Sequence, residues 1–473
     1  MTNRRQFLRA MAATAAAPFV LEPPAVVQQP SRDPWSELPS ILARIRPPTF
    51  PARDFDVTAF GAVGDGAADC SPAFRDAIDA CARAGGGRVV VPAGVFAAGP
   101  IALKSGVDLH VTAGATIRFS RDPRRYPLVL TRFEGMELMN YSPLVYAYGQ
   151  RDIAVTGGGT LDGGADCGHW WPWKGRTACG WSRGDPSQDA DRSALIAMVE
   201  RGAPVSERVF GAGHYLRPQF IQPYRCTNVL VEGVRLRGAP MWQVHPVLCT
   251  NVTVRGLHIQ ADGPNTDGCD PESCTDVLIA DCEFDTGDDC IAIKSGRNAD
   301  GRRLRAPSEH IVVRGCRMKN GHGGVTIGSE ISGGVRNVFA EDCRLDSPAL
   351  EFAVRVKNNA ARGGVIENVF ARRLHVGQVA RAALTIDFYY EEADRGPFTP
   401  VVRNVELREV TTAKADSVLY LRGFPNAPVR DVSLVDCDFE GVAGPSRVEH
   451  VDGLSLRNVR VNGKPSDAAT IAK

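Results

Sequence analysis

A short phrase recurs along this chain and leaves few folds open to it. An Asn or Asp precedes an aliphatic residue, and alternation follows. The copies are Thr227-Asn228-Val229-Leu230-Val231, Thr250-Asn251-Val252-Thr253-Val254, Thr275-Asp276-Val277-Leu278-Ile279 and His310-Ile311-Val312-Val313, then Asn337-Val338, Asn368-Val369, Asn404-Val405, Asp431-Val432 and a weaker Gly453-Leu454. The aliphatic anchors at 229, 252, 277, 311, 338, 369, 405, 432 and 454 stand 23, 25, 34, 27, 31, 36, 27 and 22 residues apart. Alternating β-branched runs of four or five residues are short strands. A period in the twenties to thirties, with glycine turns between, fits one coil of a parallel β-helix, whose coils stack ~4.8 Å apart. Leucine-rich repeats share the period, but their Leu/Asn template is absent. A propeller blade would need ~40–45 residues and antiparallel hairpins. One solenoid can absorb all 473 residues, because each coil packs only on its neighbours.

A second strand series follows the first in each coil: Cys290-Ile291-Ala292-Ile293-Lys294, Gly324-Val325-Thr326-Ile327-Gly328, Ala353-Val354-Arg355-Val356-Lys357, Ala383-Leu384-Thr385-Ile386-Asp387 and Val418-Leu419-Tyr420-Leu421-Arg422. The period of two turns Ile291 and Ile293 inward. Ala292, Thr326, Arg355, Thr385 and Tyr420 then form one outward column, and Lys294, Gly328, Lys357, Asp387 and Arg422 another. These columns describe the wall of a cleft. Upstream, Phe55 to Gly66 reads as a strand and turn, and Ser71 to Ala84 as an amphipathic helix able to cap the open end of the stack. The stretch 163–216 breaks the repeat. It carries His169, Trp170, Trp171, Trp173 and Trp181 and is expected to form loops and a helix beside the cleft. The fold class is therefore all-β, a parallel β-helix over 51–465 with an N-terminal capping helix.

The charge balance, 55 basic against 54 acidic side chains, gives no general pull towards nucleic acid or an anionic membrane, and neither is expected as a partner. An acidic ligand would have to be met by a local cluster. Asn3-Arg4-Arg5-Gln6-Phe7-Leu8-Arg9 resembles the twin-arginine export motif, and a short Ala-rich run follows it. Residues 1–25 are read as a signal peptide for the periplasm or beyond, and 26–50 as a linker. Thirteen cysteines in a chain of this length, placed in step with the repeats, are expected to be mostly buried free thiols. No close Cys-x-x-Cys pair suggests zinc.

Three carboxylates sit in glycine-rich turns: Asp267 in Asn265-Thr266-Asp267-Gly268, and Asp288 and Asp289 in Gly287-Asp288-Asp289-Cys290. Asp288 lies eleven residues after the anchor Val277, and His322, in Gly321-His322-Gly323-Gly324, lies eleven after Ile311. Spacing thus stacks Asp267, Asp288 and His322 in one column, with Asp289 beside it. Crowded carboxylates repel, which raises at least one pKa and keeps a proton at hand. Glycoside hydrolysis needs that: one acid protonates the leaving oxygen while another carboxylate activates water or attacks carbon. Clustered Asp oxygens also suit Ca²⁺, but the neighbouring His322 and Lys294 argue against it, and no metal or cofactor is expected. Arg355 and Lys357 leave one strand face together and offer a cationic patch for an acidic sugar. Tyr389 and Tyr390 could stack on sugar rings.

The four segments Asn265-Thr266-Asp267-Gly268, Gly287-Asp288-Asp289, Gly321-His322-Gly323 and Arg355-Val356-Lys357 resemble, in order and spacing, the signature motifs of glycoside hydrolase family 28, the polygalacturonases. Val356 departs mildly from the usual Ile. The resemblance covers about 55–442. It implies a right-handed β-helix and an inverting, metal-free hydrolysis of α-linked galacturonan in pectin or its oligomers. It implies Asp288 as general acid, Asp267 and Asp289 as the pair that activates water, His322 as support for the acid, and Arg355 with Lys357 as a galacturonate clamp. Lys294 and Asn265 are also expected at the substrate, and the chain is expected to be a monomer. Inverting carboxylates stand ~6.5–9.5 Å apart. The segments Lys294-Ser295-Gly296-Arg297-Asn298, Asp300-Gly301-Arg302-Arg303 and Gly328-Ser329-Glu330, with the tryptophan-bearing insertion, resemble the bacterial exo-acting branch; Arg217, just past the insertion, could hold a terminal sugar. Three other readings stay open: a rhamnogalacturonan or xylogalacturonan hydrolase of the same fold, a β-eliminating pectin lyase, or a non-catalytic adhesin- or tailspike-like β-helix.

Overall fold

The recurring Asn or Asp marks a corner. In this computed structural model, which describes residues 33–471, Asn228, Asn251, Asp276, Asn337, Asn368, Asn404 and Asp431 all adopt left-handed φ between +54° and +58°. Asn and Asp tolerate that region better than other non-glycine residues. Their side chains also join successive coils: Asn251 Nδ2 donates to Asn228 Oδ1 at 2.7 Å, Asn368 to Asn337 at 2.8 Å and Asn404 to Asn368 at 2.7 Å. The polar phrase is a ladder that turns each coil at the same place.

The anchors lie in register. Val229 pairs with Val252, Val252 with Val277, Val277 with Ile311, Ile311 with Val338, Val338 with Val369, Val369 with Val405 and Val405 with Val432, all in parallel. The second series is also aligned as its alternation requires: Ile291, Val325, Val354, Leu384 and Leu419 pair in turn, with Thr326, Arg355, Thr385 and Tyr420 as the outward column. A third row of short strands runs through Leu161, Leu236, Ile259, Phe284, Met318 and Leu345. The rows wind a right-handed parallel β-helix, the hand that parallel crossovers take. Its axis is filled by one continuous apolar core in which Val277, Ile279, Phe284, Ile291, Ile311 and Leu345 have no solvent exposure. Truncating such a residue to Ala costs about 2–5 kcal/mol.

The helix Ser71–Arg83 buries Ala73, Phe74, Ala77, Ile78 and Cys81 on one face, against the strands Asp54–Asp56, Gly87–Val91 and Val107–Val111. It covers the first coils as expected. At the other end, Lys464–Ser466 folds back antiparallel on Ser455–Val461, leaving only a short edge. Part of the presumed linker departs from that reading. Leu38–Arg44 is a helix, and Arg44 pairs with Asp276 at 2.7 Å while Asn251 hydrogen-bonds both the N–H and the C=O of Arg46. Residues 33–37 hold a 3₁₀ turn at Pro34–Glu37. The signal motif lies outside the described residues. Among the described residues, no helix is long and apolar enough to cross a membrane.

The insertion and a hairpin upstream of it build a side wall. The hairpin Leu128–Phe133 and Met136–Tyr141 is antiparallel, and Val209–Phe210 adds a parallel strand. Helix Asp189–Glu200 packs Leu195 and Val199 into a second core with Phe133, Leu138, Phe210 and Trp242. One disulfide, Cys167–Cys179, ties the tryptophan-bearing loop. The other eleven cysteines are buried free thiols, as their placement suggested.

Candidate active site

Coil corners bring the acids together. Asp267 follows the strand His258–Ala261, Asp288 and Asp289 join Glu283–Thr286 to Ile291–Ile293, and His322 lies within Gly321–Ile327. One oxygen of each of Asp267, Asp288 and Asp289 lies within 4.8 Å of the other two. The level pairs differ from the expected column by one residue. Cys269 pairs with Ile291 and Ile291 with Val325, so Asp267 is level with Asp289, and Asp288 with His322. Counting from anchors cannot choose between two adjacent aspartates; strand pairing does. The motif glycines are demanded by crowding. A Cβ on Gly268 would stand 2.4 Å from the Phe284 ring, and one on Gly323 would stand 2.2 Å from Thr326 Oγ1 and 3.0 Å from Asp289 Oδ1.

Each carboxylate has different company. Asp288 Oδ1 faces His322 Nδ1 at 2.9 Å, and its other oxygen is 3.5 Å from Asn265 Nδ2. Asp289 accepts from Lys357 Nζ at 2.7 Å, from Thr326 Oγ1 at 3.0 Å and from Arg355 Nη1 at 3.4 Å. Asp267 has Lys294 Nζ 3.6 Å from Oδ2, while Oδ1 has no partner. Lys294 also reaches Glu330 at 3.3 Å and sits 4.2 Å above the Trp242 ring. The charges separate the protonation states. Burial, then repulsion from Asp288, lifts the Asp267 pKa well above the usual carboxylate range. Burial pushes Asp288 up too, but the His322 hydrogen bond and charge, with Lys357 and Lys294, outweigh it and hold Asp288 below that range. His322 is pushed up to about 9, chiefly by its hydrogen bond to Asp288. One carboxylate is therefore raised, but it is Asp267, by burial first and repulsion second; the Asp288–His322 couple stores its proton on the imidazole side.

Asn265, Asp267, Asp288, Lys294, His322, Lys357 and Tyr390 line one cavity, with Asp289 and Arg355 bonded beside it. Arg355 and Lys357 form no free clamp: both already pair with Asp289. Tyr389 lines a neighbouring cavity of about 370 Å³ with Thr385 and Tyr420, one face covered by Arg422 at 4.2 Å. Tyr390 is nearer the acids, its ring 5.3 Å from Lys357 Nζ. Arg217 is fully buried and bonded to Pro240 O, Pro264 O, Gln188 Oε1 and Asn265 Oδ1, so it positions Asn265 and does not face a sugar. The Arg297 segment is a buried charge hub, with Arg297 paired to Glu134, Glu330, Glu391 and Glu392. Sequence reasoning missed Glu134 at the hairpin tip, and also Trp242 and Lys174. All three line the cavity of about 190 Å³ that holds Asp267, Asp288 and His322. It also missed Asp270, buried with neither oxygen partnered, whose pKa burial and then Asp267 raise well above the usual range.

The three carboxylates are close enough to gather a cation. Lys294, Lys357 and Arg355 already supply the charge such an ion would bring, so the donor set fits a divalent metal poorly.

The model of glycosyl hydrolases family 28 matches residues 212–456. A hyperthermoactive exopolygalacturonase from Thermotoga maritima superposes with a TM-score of 0.88 at 48% identity, over 91% of this chain and 96% of that one. A probable polygalacturonase of Vitis vinifera is 27% identical over 85% of this chain and 78% of its own. An exo-poly-alpha-D-galacturonosidase of Dickeya chrysanthemi is 25% identical over 71% of this chain and 57% of its own.

Proposed function

The chain belongs to glycosyl hydrolases family 28, and on that premise we propose that it hydrolyses α-1,4-galacturonide bonds of polygalacturonate from a chain end, with inversion. The observation that carries the reading is the division among three adjacent carboxylates. One shares a proton with His322, while the other two stand level on neighbouring coils beside Lys294 and Lys357. Asp288 protonates the leaving oxygen, drawing on the proton held with His322. Asp289 takes the proton of a water that the unpartnered Asp267 Oδ1 orients. The cations that hold these acids also suit a galacturonate carboxylate. Chain-end attack is supported by the side wall, whose Glu134 and Lys174 close over the same cavity, and by the exo-acting relatives.

One product analysis tests all three parts. On polygalacturonate, reducing ends should accumulate while viscosity persists, the first-formed anomer should be β by proton NMR, and no unsaturated chromophore should appear. Early viscosity collapse would refute chain-end attack. An α product would refute inversion, and an ultraviolet-absorbing product would mean β-elimination.

The proton couple sets the pH profile. Turnover needs the proton shared by Asp288 and His322, which leaves as pH rises through about 9. It also needs the water-activating pair ionised, which fails as pH falls through the raised Asp267 pKa. The profile of kcat/KM should therefore have an acid limb above the ordinary carboxylate range and an alkaline limb near 9. His322→Asn should lower kcat ~100-fold or more and displace the alkaline limb. A limb still near 9 in that variant would rule out the couple as its origin.

A further inference from the structure

The cavity over the acids carries two cations that make no direct hydrogen bond or ion pair among the described residues. Lys174 ends the 3₁₀ turn Trp171–Lys174 and is half-buried, yet its ammonium makes no hydrogen bond or ion pair among the described residues. Arg176, two residues on, lines the same cavity and likewise has no hydrogen bond or ion pair from its side chain among the described residues. Arg217 behind them is bonded only to neutral acceptors. The acids nearby are already engaged. Glu134 pairs with Arg192 at 2.6 Å and with Arg297, Glu330 with Lys294 and Arg297, and Glu391 with Arg297 and Arg362. Burial lowers the Lys174 pKa, opposed by Glu134 and reinforced by Arg217 and Arg192. A half-buried cation without a counter-ion is costly unless an anion arrives.

The loop is held in place before any ligand binds. Cys167–Cys179 closes it, Trp171 Nε1 donates to Ala239 O at 2.9 Å, and the Trp170 and Trp173 rings meet edge-on at 4.9 Å. Trp171 also lies directly against Gly263. Ala239 and Gly263 precede the Asp288 coil, whereas Arg355 lies on the coil beyond that of Thr326. Lys174 and Arg355 thus flank the acids from opposite directions along the stack.

We propose that Lys174, with Arg176 beside it, is the seat for the carboxylate of the chain's terminal galacturonate, on the side of the cleaved bond opposite Arg355 and Lys357. The proposal rests on the chain-end hydrolase reading and adds the group that recognises the end. A preformed cation costs no loop ordering on binding, so the carboxylate is discriminated in the ground state and the effect falls on KM.

The test uses trigalacturonate with free carboxylates and two analogues methyl-esterified on one or the other terminal sugar. The parent should cleave the free trimer ~10–100-fold more efficiently than one of the two esters, the loss expected for a charge-assisted hydrogen bond. Lys174→Ala and Lys174→Gln should lose the same factor on the free trimer, mainly through KM, and should no longer distinguish that ester. Lys174→Arg should recover part of the preference. Melting temperatures should not fall, because the ammonium bonds to nothing among the described residues and its partial burial is a cost that the neutral variants remove. A parent indifferent to both esters, or Lys174 variants that discriminate as the parent does, would overturn the seat even if end products are still released. Mid-chain cutting by the parent, visible in product size whatever the ester, would instead overturn the chain-end reading and remove the premise.

Discussion

Asp288→Asn is expected to keep the coil stack and lose nearly all hydrolysis of polygalacturonate, by ~10²–10⁴-fold or more in kcat. Asparagine can still meet His322 Nδ1 from the same corner, where the pair now stands at 2.9 Å, but it has no proton to deliver to a leaving oxygen. The fold does not depend on that pair, because His322 is about half exposed and Asp288 partly so. The acid role has a sharper signature than lost rate. An aryl galacturonide with an acidic phenol leaves without protonation, so the variant should lose far less on that substrate than on polygalacturonate. Equal losses on both substrates would show that Asp288 serves position or charge rather than proton delivery. Activity on polygalacturonate within tenfold of the parent would remove it from the reaction altogether.

Asp289→Asn and Asp267→Asn should both abolish turnover yet move stability in opposite directions. The Asp289 carboxylate is 1% exposed and is the partner of Lys357, at 7%, and Arg355, at 13%. Its removal leaves two desolvated cations facing each other, and breaking a buried pair from one side costs about 3–5 kcal/mol. Asp267 is the contrary case. Burial and Asp288 already disfavour its ionised form, and Lys294 keeps Glu330 at 3.3 Å without it. A carboxyl group whose pKa is raised by folding costs stability once pH exceeds its unfolded value, and the full cost is reached above its folded value. The melting temperature of Asp267→Asn should therefore equal the parent's in acid and exceed it increasingly as pH rises. Melting curves at pH 5 and pH 8 decide the matter. An Asp289→Asn variant as stable as the parent, or an Asp267→Asn variant that is less stable at pH 8, would refute this charge assignment.

Much of the architecture could be read before any coordinates because two rules are strict here. A left-handed corner admits few residue types, so Asn228, Asn251, Asp276 and their successors mark each coil in the sequence itself. A period of two cannot slip without turning the core outward, so Val229 to Val432 and Ile291 to Leu419 had to align as they do. Where neither rule applies, the sequence is silent. The level partner of Asp267 depends on an irregular turn, whose length an anchor count does not measure. The hairpin that carries Glu134 has too little alternation in Leu128–Phe133 and Met136–Tyr141 to stand out from the coils around it. Arg217 and Lys174 have the same charge and lie in or beside one insertion, and only their surroundings show that the first is sealed among carbonyls and the second left open to a ligand. Asp270 follows a motif that ends in glycine, and the groups around it come from its own coil and the next, which carries Lys294 and Asp289.

The columns of buried cysteine have a consequence for durability. Cys226, Cys249 and Cys274 are stacked so that the N–H of each of the first two points at the next sulfur, at 3.4 Å. While the coils hold, these thiols are inert, since burial leads the causes that push Cys249 far from its reactive thiolate form. Once the chain opens in an oxidising medium, eleven sulfurs become available to pair with wrong partners. Each such pairing is a covalent trap from which the coil register cannot be recovered without a reductant. Outside a reducing compartment the native state is then guarded by how slowly it opens: its lifetime is a rate, and each excursion from the stack carries a chance of no return.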